Sequence, residues 1–352
     1  MPKKSKKNLK IMQIKANSIY INCNIGCNSA ATFNAELQKI MAIKKSGAIP
    51  DFMMDLSLYK AEKPLYKYIQ AVLNIPVGTV LSYQPFSKAK GLVWSECMEY
   101  LEQLGKDGVA FVTIHFTASK ELYELALTRK HPCTSRGGGI CIYDIKLNQR
   151  KKNVFLEHID EIIKIALKYD IVISLGTTFR PGNIFDACDK AHFEETKQQL
   201  EVCNYLQKHG VKVIVENIGH ISIDRLEEHA KLLREFNAPI MPLGPIVTDT
   251  AVGQDHINSA IGAAFSAYWG IATIINCVTR NEHKTAEITA ENMIEAIKSM
   301  QVVQQSINIA RGIPEAIALE KEINNKRAEM HSCMITECSC TRCMDVCPLR
   351  II

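Results

Sequence analysis

Eight short apolar runs, separated by stretches of helical spacing, constrain this chain more than any other feature. They are Tyr20–Gly26, Asp51–Ser57, Pro76–Tyr83, Val109–His115, Ile171–Gly176, Val211–Asn217, Pro239–Leu243 and Ile271–Thr279. Most carry valine and isoleucine on both faces, the pattern of parallel strands covered on both sides. Between them, Phe33–Ser46 behind a Thr32 cap, Lys63–Asn74 with Pro64 near its first turn, and Trp94–Gly105 read as helices. So do Val154–Tyr169, Glu194–His209 and Ile223–Phe236. Eight strands alternating with helices predict an α/β fold, a (β/α)8 TIM-type barrel. A doubly wound open sheet is the alternative, but no Gly-x-Gly-x-x-Gly follows an early strand.

The chain has 352 residues, enough for one large barrel and an appendage. From about Asn281 the alternation stops. Thr289–Arg311 and Glu315–Met330 read as helices with no strand between them, and five cysteines crowd the last stretch. The expected organisation is a disordered basic arm over 1–18, a barrel over 19–283, a helical extension over 284–330 and a cysteine-rich tail over 331–352. The formal charge of +5 is an effect of the arm, where Lys3, Lys4, Lys6, Lys7 and Lys10 cluster. The rest is near neutral, so neither nucleic acid nor an anionic membrane is expected as a partner. Ser259–Val278 carries no charge, but Gly270 divides it, and a buried helix followed by a buried strand is expected rather than a membrane span. Thirteen cysteines without a secretory signal point to free or metal-bound thiols in a reducing cytoplasm.

In a parallel barrel the site is built at the C-terminal strand ends. There the sequence offers Asn24, Met54, Tyr83 and His115 after the first four strands, then Arg180 and Gly182, Glu216 and His220, Met241 and Asp249, and finally Glu282 and His283. Singly, each has a bland explanation: a hydrogen-bonded surface histidine, a methionine filling the core. Their recurrence at one end of strand after strand is the signal. Ser135-Arg136-Gly137-Gly138-Gly139, in the long excursion after the fourth strand, suits a phosphate, because glycine amides approach an anion and arginine adds a charged contact. A flexible surface turn has the same composition.

The tail is more specific. Cys340-x2-Cys343-x3-Cys347-Pro348 places three thiolates at close spacing, like the end of a bacterial ferredoxin run. Three cysteines can hold three irons of a [4Fe–4S] cube and leave the fourth open to the amino and carboxylate groups of S-adenosylmethionine. Reduction could then release a 5′-deoxyadenosyl radical. The alternative is a zinc knuckle drawing on four of the five tail cysteines, which include Cys333 and Cys338.

These residues together resemble the phosphomethylpyrimidine synthase (ThiC) family of thiamine biosynthesis. The carrying segments are Asn22–Ser29, Met54–Ser57, Pro76–Val80 with Tyr83-Gln84, Thr113–His115, Ser135–Gly138, Ser174–Gly176, Arg180–Gly182 and Gly219-His220. Pro242–Asp249, Asp255–Ala264 and Val278-Thr279 with Glu282-His283 complete the series in family order. The resemblance implies a barrel lyase that rearranges aminoimidazole ribotide into hydroxymethylpyrimidine phosphate by radical S-adenosylmethionine chemistry. It implies substrate contacts at Asn24, Met54, Tyr83, His115, Ser135, Arg136, Gly137, Arg180 and Glu216, with Glu216, His115 and Tyr83 in the catalytic role. It implies zinc or another divalent metal on His220 and His283, and a [4Fe–4S] cluster on Cys340, Cys343 and Cys347. It also implies a low-potential electron donor such as flavodoxin or ferredoxin, and a homodimer in which the partner supplies the tail.

The chain departs from the family pattern at several points. Thr177 stands where the family has an acid, and Met241 where it has a tyrosine; both are expected in the pocket. Cys27 is an extra residue in the first motif, the last cysteine spacing is x3 rather than x4, and the family's N-terminal domain and much of the segment before the cysteines are absent. Two other readings follow: a related product such as 5-hydroxybenzimidazole, the cobamide lower-ligand precursor, or a non-catalytic ribotide-binding barrel with a zinc knuckle.

Overall fold

The computed structural model of the protein describes residues 14, 18–336 and 342–352. The arm expected over 1–18 lies almost entirely outside them, as do Cys338 and Cys340. The chain divides into two compact units, Met1–Gln304 and Gln305–Ile352.

The first unit contains eight strands: β1 (Tyr20–Ile25), β2 (Phe52–Asp55), β3 (Val77–Val80), β4 (Phe111–Ile114), β5 (Val172–Leu175), β6 (Val213–Asn217), β7 (Ile240–Pro242) and β8 (Ile274–Asn276). Each predicted apolar run contains one of them. All pairings are parallel, in the order β7-β6-β5-β4-β3-β2-β1-β8. Ile240 bridges Ala272, and the Thr273 N–H donates to the Ile240 carbonyl at 2.9 Å, so the two ends of the sheet meet and the barrel is nearly closed.

The helices are α1 (Ala30–Ser46), α2 (Leu65–Leu73), α3 (Trp94–Lys106), α4 (Lys120–Ala126), α5 (Arg136–Leu147), α6 (Val154–Glu157), α7 (Ile159–Tyr169), α8 (Lys190–Lys208), α9 (Ile223–Leu233) and α10 (Asp255–Tyr268). α11 (Ala290–Ala310) contains the division between the units, and α12 (Pro314–Glu329) and α13 (Pro348–Ile351) belong to the second. The two long helices expected after the barrel are present.

Three helix expectations need correction. α1 starts earlier than Phe33, because Ser29 is its cap and Thr32 is the third residue of a reciprocal capping box. The single helix expected over Val154–Tyr169 is broken at His158, whose backbone (φ −113°, ψ 27°) interrupts it. The glycine segment after Ser135 is neither a turn nor a loop. Ser135 caps α5, and the helix runs straight through the three glycines. Glycine's poor helix propensity hid it.

Strand alternation sorts the barrel interior into layers, because residues two apart share a face. Phe52, Phe111, Val172, Ile214 and Ile274 pack together with Met54, Val80 and Met241 as an apolar floor. Gly78 makes room for this floor, since a Cβ there would lie 2.2 Å from the Phe111 ring. Two residues further along, the same strands turn polar: Thr113, Ser174, Glu216 and Asn276 stand above Phe111, Val172, Ile214 and Ile274. The uncharged stretch after Ser259 divides as expected into the end of α10, a turn at Gly270 (φ +79°) and β8. Among the described residues no helix is long and apolar enough to cross a membrane.

Candidate active site

A cavity of about 530 Å³ opens above the polar layer. Asn24 and Met54 reach it from β1 and β2, Tyr83 and His115 from just beyond β3 and β4, and Ser135 and Arg136 from the start of α5. Arg180 and Gly182 line it from the loop after β5, and Glu216, His220, Glu282 and His283 from β6, the loop after it and the segment after β8. Gly137 lies one step behind this lining. Thr177 and Met241, expected in the pocket, are not part of its wall. Thr177 is buried, donating to the Glu216 backbone carbonyl and accepting from Gln199 Nε2, and Met241 belongs to the apolar floor.

Glu216 is the most enclosed charge of the site, 5% exposed. Thr113 Oγ1 and Ser174 Oγ both donate to its Oε1, at 2.6 and 2.9 Å. Burial raises its pKa, against the lowering effect of these hydroxyls and the Arg180 guanidinium. That balance prepares a carboxyl able to hold or release a proton at one fixed atom.

His115 is equally enclosed. Burial, helped by the nearby Arg180 charge, pushes its pKa down to about 3, so the ring is neutral near pH 7. Its Nε2 lies 3.0 Å from Ser135 Oγ, which also accepts the Gly138 N–H that it caps. Its Nδ1 is buried without a hydrogen-bond partner among the described residues. Burial also raises the Tyr83 phenol, and the Arg136 guanidinium lies 5.5 Å from that ring's centre.

Two of the three glycines of α5, Gly137 and Gly138, are explained by packing. A Cβ on Gly137 would sit 2.3 Å from His115 Cε1, and one on Gly138 would sit 2.5 Å from Thr178 Cγ2. The bare helix face therefore brings Ser135 onto His115. Gly137→Ala should displace the His115 ring and destabilise the protein by about 1–3 kcal/mol, the usual cost of overpacking. Chemical denaturation would measure it, and an unchanged midpoint would show that the ring accommodates the methyl.

Arg180 is held by residues that sequence reasoning missed. The buried Glu195 carboxylate accepts the N–H groups of Thr178 and Phe179, both at 2.6 Å, and Arg129 donates to the Phe179 carbonyl at 2.7 Å while pairing with Asp189. No local motif marks Glu195, because it lies on the following helix.

His220 and His283 come together, with ring centres 5.2 Å apart. His220 Nδ1 lies 2.6 Å from an Asp249 oxygen, and His283 Nδ1 lies 2.7 Å from Asp255. A carboxylate on one ring nitrogen is the arrangement that orients an imidazole and leaves Nε2 as a metal donor. This pair therefore fits a divalent metal. Asp255 falls in a segment that carries the resemblance but has no expected site role; it is 28 residues from His283, beyond any local spacing pattern.

The second unit holds the tail cysteines. Cys343 and Cys347 carry free thiols on either side of a 3₁₀ turn, Met344–Val346, and Cys347 caps α13. Cys340, the third expected ligand, lies outside the described residues.

Fold and cavity define a TIM-type barrel enzyme whose C-terminal face carries a buried acid, a neutral histidine, two arginines and a carboxylate-backed histidine pair. The family model described as the radical SAM ThiC family matches residues 1–351. The chain is similar to curated proteins named phosphomethylpyrimidine synthase. That of Carboxydothermus hydrogenoformans is 34% identical over 89% of this chain and 75% of its own length. That of Thermoanaerobacter sp. is 36% identical over 88% and 73%, and that of Clostridium tetani 33% over 88% and 69%. The chain belongs to the radical SAM ThiC family. Dihydropteroate synthase structures from Xanthomonas albilineans and Coxiella burnetii align with TM-scores of 0.44 and 0.46 at 9% and 10% identity, covering 82% and 83% of this chain and 94% of each of theirs.

Proposed function

We propose that this enzyme converts aminoimidazole ribotide to hydroxymethylpyrimidine phosphate for thiamine biosynthesis. The observation that carries the proposal is the cavity wall shared by Asn24, Tyr83, His115, Arg136, Arg180 and Glu216, the residues that the family resemblance implies as substrate contacts. A [4Fe–4S] cluster with S-adenosylmethionine supplies the radical chemistry when bound. The protein's own contribution is to bind, orient and move protons.

Arg136 and the start of α5 suit the phosphate. The Gly138 N–H is taken by Ser135 Oγ and the Gly139 N–H by the Ser135 carbonyl, which leaves the Arg136 and Gly137 amides of the first turn for an anion. The neutral His115 ring, held by Ser135 Oγ, forms part of the wall that the substrate would meet. Glu216, anchored by Thr113 and Ser174, is placed to accept or return a proton as the substrate rearranges. Met54 and the floor beneath it exclude water from the lower side of the ligand.

A different product such as 5-hydroxybenzimidazole was suggested by the departures at Thr177 and Met241. Both lie outside the cavity wall, so the pyrimidine product remains the better reading. We further propose that Cys340, Cys343 and Cys347 hold the cluster, that a flavodoxin- or ferredoxin-type donor reduces it, and that the enzyme is a cytoplasmic homodimer in which one chain's tail serves its partner.

The deciding experiment is anaerobic incubation with aminoimidazole ribotide, S-adenosylmethionine and a low-potential reductant, with products read by mass spectrometry. Hydroxymethylpyrimidine phosphate with one set of cleavage products from S-adenosylmethionine is the expected result. A benzimidazole, or no turnover by cluster-loaded protein, overturns the proposal.

His220 and His283 should hold a divalent ion, zinc in the family pattern. The double variant His220→Ala/His283→Ala should lose that ion while keeping its cluster iron and its circular dichroism. Metal content unchanged by the double substitution would return both residues to hydrogen bonding alone.

A further inference from the structure

A second group of metal-donor side chains lies behind β6, away from the cavity. Asn217 follows Glu216 along the strand and so projects from the opposite face. It meets His192, in the first turn of α8, and His229, on α9. Cys188 sits just before the α8 cap. One donor atom from each of Cys188, His192 and His229 lies within 4.8 Å of the others, and all three residues are buried. None of them lines the cavity.

The hydrogen bonds define the state of both rings. The Asn217 amide nitrogen donates to Thr196 Oγ1 and Gln199 Oε1, which fixes the orientation of its side chain. Its Oδ1 then lies 2.9 Å from His192 Nε2 and 3.0 Å from His229 Nε2, and also accepts the Ile218 N–H. A carbonyl oxygen only accepts, so both imidazoles carry their proton on Nε2 and a lone pair on Nδ1. His192 Nδ1 takes the Cys188 N–H at 3.2 Å. His229 Nδ1 has no hydrogen-bond partner among the described residues, although His229 is 0% exposed. Cys188 adopts φ +57°, a left-handed conformation that a non-glycine residue adopts at a cost. A bare, buried nitrogen lone pair beside a thiol on strained backbone is costly for a purely structural cluster.

We propose that Cys188, His192 and His229 form a second metal site for a zinc-class cation, separate from the His220 and His283 pair. One thiolate and two imidazoles are a donor set for a borderline-soft ion. On binding, the Cys188 thiol gives its proton to solvent and the sulfur takes the metal in its place. Asn217 holds both rings from behind, as carbonyls do for metal-binding histidines. The ion would fasten the end of the segment after β5, which also carries Arg180, to α9. The Arg129 and Asp189 pair already anchors this segment beside Cys188.

The test uses the full chain, reconstituted anaerobically so that the tail is occupied by its cluster, in the His220→Ala/His283→Ala background. The protein is exposed to Zn²⁺, freed of excess by gel filtration and analysed for zinc. About one ion per chain should remain, and the unfolding temperature should rise with it. Adding Cys188→Ser or His229→Gln should remove both the ion and the rise. Should the double variant not fold, the count is made on the native chain, where about two ions should fall to about one with Cys188→Ser. Zinc that does not stay in the background variant overturns the proposal. So does zinc that stays equally well after both Cys188→Ser and His229→Gln, which would leave a metal-free hydrogen-bonded cluster.

Discussion

Cys347→Ser should strip the enzyme of cluster iron and take turnover below detection, and Cys343→Ser should do the same. On the proposed assignment each thiolate would ligate one iron of the cube, and a serine hydroxyl, protonated near pH 7, is a poor replacement. The local backbone suits the role. Val346 N–H donates to the Cys343 carbonyl at 3.1 Å, and Arg350 and Ile351 donate to the Cys347 carbonyl at 3.0 Å. These bonds wind the segment tightly, which keeps the two thiols on one short stretch. Cys333→Ser is the control, because that exposed residue lies outside the close spacing. Iron per chain after anaerobic reconstitution should stay near about four in the control and fall well below it in the other two variants. A control that loses iron while Cys347→Ser keeps it would reassign the ligands. A cluster-free tail that binds zinc through four cysteines would be colourless and would not cleave S-adenosylmethionine.

Arg136→Ala should weaken binding of the phosphorylated nucleoside by about 30- to 150-fold, the equivalent of about 2–3 kcal/mol for a lost charge-assisted hydrogen bond. The side chain is free to make such a bond. Among the described residues its side-chain hydrogen bond is a long one, 3.4 Å to the Leu56 carbonyl, and its guanidinium also lies near the Tyr83 ring. The unphosphorylated nucleoside has no anion to lose and should bind the variant nearly as well as the native protein. Calorimetry with both ligands separates the outcomes. Equal losses for the two would make Arg136 a packing partner of Tyr83 rather than a phosphate contact, and Arg180 would be the next residue to replace.

Much of the site could be read without coordinates because strand alternation and strand ends are local properties. Thr113 and Glu216 illustrate both the reach and the limit of that reading. Each stands two residues beyond an apolar floor residue of its own strand, and that period is visible in sequence. Their hydrogen bond joins positions 103 residues apart, and no local pattern announces it. The glycines after Ser135 show the opposite failure. Their composition suggests a loose turn, yet they lie in a helix, where the His115 ring and Thr178 leave no room for a side chain at Gly137 or Gly138.

The sequence by itself determined the eight-stranded parallel barrel, the family, and the strand ends at which His220, His283 and Glu216 stand, which line the cavity. Period-two alternation, both-face burial and ordered short motifs are all written along the chain. Only the tertiary structure decided which residues face the cavity and which stand behind it. It moved Thr177 and Met241 out of the pocket, set Asp249 and Asp255 behind the two histidines, and gathered Cys188, His192 and His229 around Asn217. Those placements depend on which helix packs over which strand and on how closely two backbones approach, and residues brought together by packing share no spacing along the chain.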